Sequence, residues 1–195
     1  MAGAGAEPQV RVAIFGGAFD QPHRGHVGLA RQAKLELDVP KLLVLVSADP
    51  GHKHVATPAD ARVRLAQAAF PDDDVRLDEF SRTVDLLRAH PEWEDPVLVL
   101  GADQFVAFPD WREPDEVLRL ARLAVGTRPG FPQPRLEEAL ERLDRPERVR
   151  FFELAEPDPA ASSDLRERLA RGEDTGAELP PAVAAAIRAA GLYRS

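Results

Sequence analysis

The chain is predicted to fold as a doubly wound α/β protein, a parallel sheet with helices on both faces. Three observations predict it. Short apolar, β-branched runs recur along the chain, segments of helical spacing separate them, and the runs are nearly continuous in apolar character rather than alternating. Strands of that kind are buried on both faces, which is the condition of a parallel sheet sandwiched by helices. Its crossovers are right-handed. In such a sheet the ligand crevice lies beyond the carboxyl ends of the strands, so functional residues are expected just after strands.

Residues 1–9, mostly small with Glu7 and Pro8 among them, are expected to form a disordered leader. The first strand is expected over Val10 to Phe15, breaking at Gly16-Gly17. Further strands are expected at Leu42 to Val46, Val75 to Phe80, Val97 to Leu100, Leu123 to Val125 and Val149 to Leu154. Helical spacing is clearest at Val27, Ala30, Ala33, Lys34 and Leu37, and again at Val63, Ala66, Gln67 and Phe70, where apolar positions recur at three and four. Pro114 to Arg122 and Leu136 to Leu143 show the same period. No internal repeat is visible, and Thr127 to Pro134 is expected to be a loop.

The 195 residues suffice for one sizeable domain at about 150 residues each. With 44% hydrophobic and 30% charged residues, a largely disordered or collagen-like chain is excluded. No apolar run approaches the roughly 18 to 20 residues of a bilayer span, and the start has no export signal; a cytoplasmic protein is expected, with no membrane partner. Cysteine is absent, which removes disulfides, thiolate zinc ligands and a thiol nucleophile. The net charge of −8 argues against a nucleic-acid partner. Small anions remain allowed if a local cationic pocket receives them. Only Lys34, Lys41 and Lys53 are lysines, so the basic groups are almost all arginine.

After the first strand the chain reads Gly16-Gly17-Ala18-Phe19-Asp20-Gln21-Pro22-His23-Arg24-Gly25-His26 and enters a helix. Glycines let a backbone turn tightly and bring its N–H groups close to a ligand. A helix opening near Gly25 turns its unpaired N–H groups and positive dipole end toward the crevice, where a phosphate is the natural guest. His23 and His26, three apart, share the first turn and can reach one anion. A lone Gly-Gly is usually only a turn and a lone His usually structural; their conjunction with an Asp at a helix mouth points to function. A zinc site is the rival, but an i, i+3 pair with neither Cys nor a Glu-flanked i, i+4 partner is a poor zinc signature.

This segment resembles the nucleotidyltransferase signature Gly-Gly-x-Phe-Asp-Pro-x-His-x-Gly-His, with the proline moved from position 21 to Pro22. From Val10 to Arg194 the chain is similar to the bacterial nicotinate-nucleotide adenylyltransferases. Pro50-Gly51-His52-Lys53-His54 is similar to that family's Pro-Pro-His-Lys loop, and Lys53 would be a compact phosphate ligand. Gly101-Ala102-Asp103 and Trp111 resemble its Gly-x-Asp and downstream Trp, which implies a ribose contact for Asp103 and stacking on the pyridine ring for Trp111. Arg128-Pro129-Gly130 resembles its Arg-Pro-Gly turn. Ser162-Ser163-Asp164-Leu165-Arg166 resembles Ser-Ser-Thr-x-Ile-Arg, so Ser162 or Ser163 would cap a helix whose mouth receives ATP phosphates, with Arg166 adding charge. The tail from Leu179 through Gly191-Leu192-Tyr193 matches a C-terminal helix of structural character.

The resemblance implies a Rossmann-like single nucleotidyltransferase domain over residues 10–195, with C-terminal helices 163–190 packed on it. It implies transfer of the adenylyl group of ATP to nicotinate mononucleotide, by in-line attack of the acceptor phosphate on the α-phosphorus. His23, His26, Lys53 and Arg166 would carry catalysis. Gly16, Gly17, Phe19, His23, His26, Gly101, Asp103, Ser162, Ser163 and Arg166 would bind ATP; Asp20, Lys53, Arg82, Thr83, Trp111 and Arg128 would bind the acceptor. Mg²⁺ is expected on the ATP phosphates, with no metal held by protein side chains. A homo-oligomer stays open. One region departs from the pattern: Glu79-Phe80 passes almost directly to Ser81-Arg82-Thr83, shortening the family's loop and replacing its Tyr by Arg82. Arg82 is expected to pair with the pyridine carboxylate. The alternatives are the same transfer to nicotinamide mononucleotide or another phosphorylated acceptor, and a non-catalytic nucleotide-binding module.

Overall fold

The computed structural model describes residues 12–51, 55, 57–155 and 162–193; the leader expected over 1–9 lies outside them. Six strands, β1 (Ala13–Gly17), β2 (Leu43–Ser47), β3 (Asp74–Asp78), β4 (Val97–Gly101), β5 (Arg122–Thr127) and β6 (Val149–Glu153), form one sheet in the order β3-β2-β1-β4-β5-β6. Every pairing is parallel, with Ile14 opposite Leu43 and Leu98, and Val97 opposite Arg122. This is the doubly wound, Rossmann-like order, which reverses between β1 and β4.

Alternation along each strand divides the core in two. Ala13, Phe15, Val44, Val46, Val97 and Val99 face one cluster, while Ile14, Leu45, Leu98, Leu100 and Val125 face the other. Helices α1 (Arg24–Leu37) and α2 (Ala59–Ala69) cover the first face through Leu29, Ala33, Leu65 and Ala66. The second is covered by α3 (Thr83–Ala89), α4 (Ala102–Ala107), α5 (Pro114–Leu120) and α6 (Gln133–Glu141), through Val84, Phe105, Leu118 and Leu136. Two further helices, α7 (Ser162–Ala170) and α8 (Pro181–Ala190), place Leu165, Val183 and Ile187 in the first cluster, with α8 against α2. At its far end α1 is tied down by Lys34, whose Nζ lies 3.0 Å from both oxygens of the buried Asp73 carboxylate. That carboxylate also accepts the Leu42 N–H at the start of β2.

Local structure departs from the expected boundaries for identifiable reasons. The first strand does not break at Gly16-Gly17: both glycines stay in β1, opposite Leu45 and Val46, and neither has a positive φ. The chain turns two residues later, at Phe19, whose φ is 47°. The Asp20–Gln21 peptide is cis. The helix from Pro114 stops at Leu120 because Ala121 is extended and fully buried, and the Arg122 N–H bonds the Pro96 carbonyl to start β5. Edge strands β3 and β6 carry exposed charge, such as the Arg76–Asp74 ion pair, which discourages pairing with another chain.

Candidate active site

A cleft opens at the carboxyl ends of β1 and β4, where the strand order reverses. It has two compartments, of about 570 Å³ and about 940 Å³. Gly16, Gly17, Ala18, Asp103 and Gln104 belong to both and form their common wall. The volumes lie in the range of small-molecule sites. A Cβ on Gly16 would meet nothing within 4 Å, so at this residue the bare backbone faces open cleft. Gly17 has the opposite constraint, because a Cβ there would stand 3.1 Å from the Phe19 ring.

The first compartment is built on the mouth of α1. His23 is the N-cap, in extended conformation outside the helix, and His26 is three residues in; they form a capping box. His23 Nδ1 accepts the Gly25 N–H at 3.2 Å, and His26 Nδ1 accepts the His23 N–H at 3.3 Å. Since Nδ1 of each ring is an acceptor, the neutral imidazole carries its proton on Nε2 and is a donor there. The ring centroids are 3.9 Å apart. Beside them Phe19 is buried, edge-on to Phe15, Phe70 and His26, so its ring backs the His26 imidazole. Arg166, Ser163, Arg128 and Asp103 complete this compartment, with Arg128 Nη2 3.9 Å from Asp103 Oδ2. The donors facing this space are imidazoles, guanidiniums and helix-mouth amides, a set suited to phosphate oxygens, with the carboxylates of Asp20 and Asp103 among them.

Arg82, Thr83 and Trp111 line the second compartment. Trp111 packs edge-on to Phe108, centroids 5.2 Å apart, at the margin of the core. Arg82 precedes α3; its Nη1 lies 3.4 Å from the Ser81 carbonyl, and it makes no ion pair among the described residues. The other arginine of this compartment, Arg112, lies 3.4 Å from the Glu113 carboxylate. Asp78, half-buried at the end of β3, accepts the Phe80 N–H. Burial pushes its carboxyl above the ordinary range, with that hydrogen bond and His90 opposing.

The structure thus divides the expected site residues. Gly16, Gly17, Phe19, His23, His26, Gly101, Asp103, Ser163 and Arg166 meet at the first compartment. Asp20 and Arg128, expected with the acceptor set, stand there too rather than beside Arg82, Thr83 and Trp111. Neither serine is the cap of α7, because the helix begins at Ser162 and Ser163 is already inside its first turn. His52, Lys53 and His54 lie outside the described residues.

Sequence reasoning missed two residues that hold this corner together. Arg62 is 2% exposed, and its guanidinium donates to the carbonyls of Thr57, Ala18, Ser47 and Ala48 at 2.7 to 3.2 Å. Burial lowers its pKa, opposed chiefly by the charge of Asp20. Tyr193, at the end of the tail, donates its hydroxyl to Asp20 Oδ1 at 2.6 Å. Burial first, then the Asp20 carboxylate, holds the phenol protonated well above its ordinary range, opposed by the Thr57 hydroxyl. The signal for Arg62 was available, because it takes an apolar-face position with Leu65, Ala66 and Ala69. For Tyr193 the resemblance marked the tail as structural, and nothing in the sequence pointed to its contact with Asp20.

A model of the cytidylyltransferase-like family matches residues 14–168. The probable nicotinate-nucleotide adenylyltransferase of Bordetella avium (strain 197N) is 35% identical over 196 residues, covering 94% of this chain and 98% of that protein. The protein of the same name from Roseiflexus sp. (strain RS-1) is 36% identical over 197 residues, with the same coverage. The chain belongs to the nicotinate-nucleotide adenylyltransferase family. Its fold is also that of a solved structure, the Plasmodium falciparum nicotinic acid mononucleotide adenylyltransferase complexed with NaAD, at a TM-score of 0.75 and 18% identity over 93% of this chain and 96% of that one.

Proposed function

We propose that the chain transfers the adenylyl group of ATP to nicotinate mononucleotide, releasing pyrophosphate and forming deamido-NAD in NAD synthesis. The observation that carries this reading is the paired His23–His26 capping box at the topological switch, opening onto a compartment that shares its wall with a second one. Two nucleotide-sized spaces meeting at Gly16, Gly17 and Ala18 suit a reaction that joins two mononucleotides. The relatives' names supply the acceptor.

The acceptor phosphate is largely deprotonated near pH 7, so its attack on the α-phosphorus needs no general base. The work left to the protein is to hold attacking oxygen, phosphorus and leaving group in line and to meet charge as it grows on the phosphate oxygens. Nε2–H of His23 and His26, the amides opening α1 and the Arg166 guanidinium supply those donors, and Lys53 would add a charge from its loop. Among the described residues no three His, Asp or Glu side chains could together hold a metal ion; a magnesium ion would ride on the triphosphate and neutralise part of its charge. Asp103 and Gly101 would take the ATP ribose side, and Ser163 the phosphates at the mouth of α7. Arg82, without an ion pair among the described residues, suits the pyridine carboxylate, beside Thr83 and Trp111. No described helix is long and apolar enough to cross a membrane; a cytoplasmic reaction is part of the same proposal.

Pyrophosphate release from ATP, measured with nicotinate mononucleotide, with nicotinamide mononucleotide and with neither, tests the reading. Release only with the nicotinate form is expected; preference for the amide moves the assignment to that acceptor, and no release with either makes the chain a binding module. His23→Asn keeps a strong N-cap but loses the ring donor, so kcat should fall roughly 10² to 10³-fold while the melting temperature holds. Arg82→Ala should raise KM for nicotinate mononucleotide far more than for ATP, and equal effects would remove its assignment.

A further inference from the structure

The Asp20 carboxylate is buried between two arginines. Arg62 stands behind it, spent on four backbone carbonyls. Arg166 stands in front, partly exposed to the first compartment. A buried carboxylate this close to a guanidinium would ordinarily close into a bidentate pair. Here it does not. Arg166 Nη1 remains 4.0 Å from Asp20 Oδ2 and donates instead to the Asp20 backbone carbonyl. Asp20 Oδ2 has no hydrogen-bond partner among the described residues. The other oxygen, Oδ1, accepts the hydroxyl of Tyr193 at 2.6 Å, from 173 residues further along the chain.

We propose that Tyr193 is a positioning residue for the triphosphate: by engaging Asp20 it keeps Arg166 out of a closed ion pair and leaves that guanidinium, aimed by the Asp20 carbonyl, for phosphate oxygens. The inference rests on the reading above, in which Arg166 serves ATP. It gives the C-terminal tail, a structural element by sequence, a part in nucleotide binding. Tyr193 sits in left-handed conformation, φ 61°, just after the Gly191 cap that ends α8. Its ring packs at the edge of the first core cluster. Tyr193→Phe therefore removes the donor and keeps the packing.

The experiment is a double-mutant cycle between Tyr193→Phe and Arg166→Ala, read by calorimetric affinity for a non-hydrolysable ATP analogue and by kcat for pyrophosphate release. Tyr193→Phe alone is expected to lose on the order of tenfold to a hundredfold in affinity for the analogue and in kcat, the equivalent of one hydrogen bond to a charged group, with KM for nicotinate mononucleotide unmoved. In the Arg166→Ala background the same substitution should cost less than about twofold, since a residue that acts through another has nothing left to act on. Losses that multiply would reduce Tyr193 to a structural contact and overturn the proposal. So would a neutral Tyr193→Phe beside a damaging Arg166→Ala. If Arg166→Ala leaves analogue affinity intact, both the role of Arg166 and the proposal fall. The calorimetric arm does not involve the acceptor, so failure of turnover with nicotinate mononucleotide would sink the functional reading alone, and the coupling would still be decided by affinity.

Discussion

Asp78 ends β3 with its carboxyl half out of water, and burial outweighs the Phe80 N–H and His90 in setting its titration. A carboxyl whose pKa is raised on folding is harder to ionise in the native state than in the unfolded chain, so its charge subtracts from stability wherever it is ionised. The subtraction is complete above the raised value and vanishes below the ordinary one of about 3.9. Asp78→Asn keeps an oxygen for the Phe80 N–H and removes the charge. It should raise the melting temperature at pH 7 to 8, and the gain should shrink as pH falls toward 4; a gain constant with pH would mean that packing, not charge, caused it. At this scale legibility depended on neighbours in sequence. His23 and His26 could be read as a pair because the helix mouth they share is in the same ten residues. Asp20 could be read as a polar residue of the signature loop, but its partners Tyr193 and Arg166 meet it only through the fold.

Helix α1 carries the imidazoles, and its seat on the sheet sets where they stand. Leu29 rests on a pair of glycines, Gly101 of β4 and Gly126 of β5, which face each other in the strand register. A Cβ on Gly126 would lie 2.4 Å from Leu29 Cδ1 and 3.2 Å from the Phe152 ring, whereas on Gly101 it would meet Leu29 at an ordinary 3.8 Å. Gly126→Ala should therefore lift the helix or displace Leu29, at a cost of about 1 to 3 kcal/mol typical of overpacking. Gly101→Ala should cost much less in stability. Thermal melting of the two variants checks this, and equal melting temperatures would deny Gly126 its role as the seat of α1. Elements were legible where period and length agreed: all six strands lie on or within two residues of apolar runs. The short α3 and α4, seven and six residues, are too brief to show a helical period. Their helicity comes from packing Val84, Leu87 and Phe105 into the second core cluster.

Across the whole molecule, the reversal of strand order between β1 and β4 opens one cleft, and the family signature falls at its edge. The topology was legible because continuous apolar strands alternating with helices admit few arrangements. The division of the cleft was not, since Gly16 and Gly17 read as a turn and stand instead as the last residues of a strand between two compartments. That placement predicts a separation of stability from binding. In the empty protein Gly16→Ala adds a methyl group where nothing lies within 4 Å, so its melting temperature should match the parent chain or exceed it slightly, because glycine is costly in a strand. A ligand that binds only the folded chain at a hundred times its Kd adds about 2.7 kcal/mol. At roughly 2 to 4 °C per kcal/mol for a chain of this size, a non-hydrolysable ATP analogue should raise the parent melting temperature by roughly 5 to 11 °C. In Gly16→Ala the methyl occupies the space through which a ligand approaches bare backbone, and the shift at the same analogue concentration should fall to a small fraction of that. An undiminished shift would mean that nucleotides bind away from the wall shared by the two compartments.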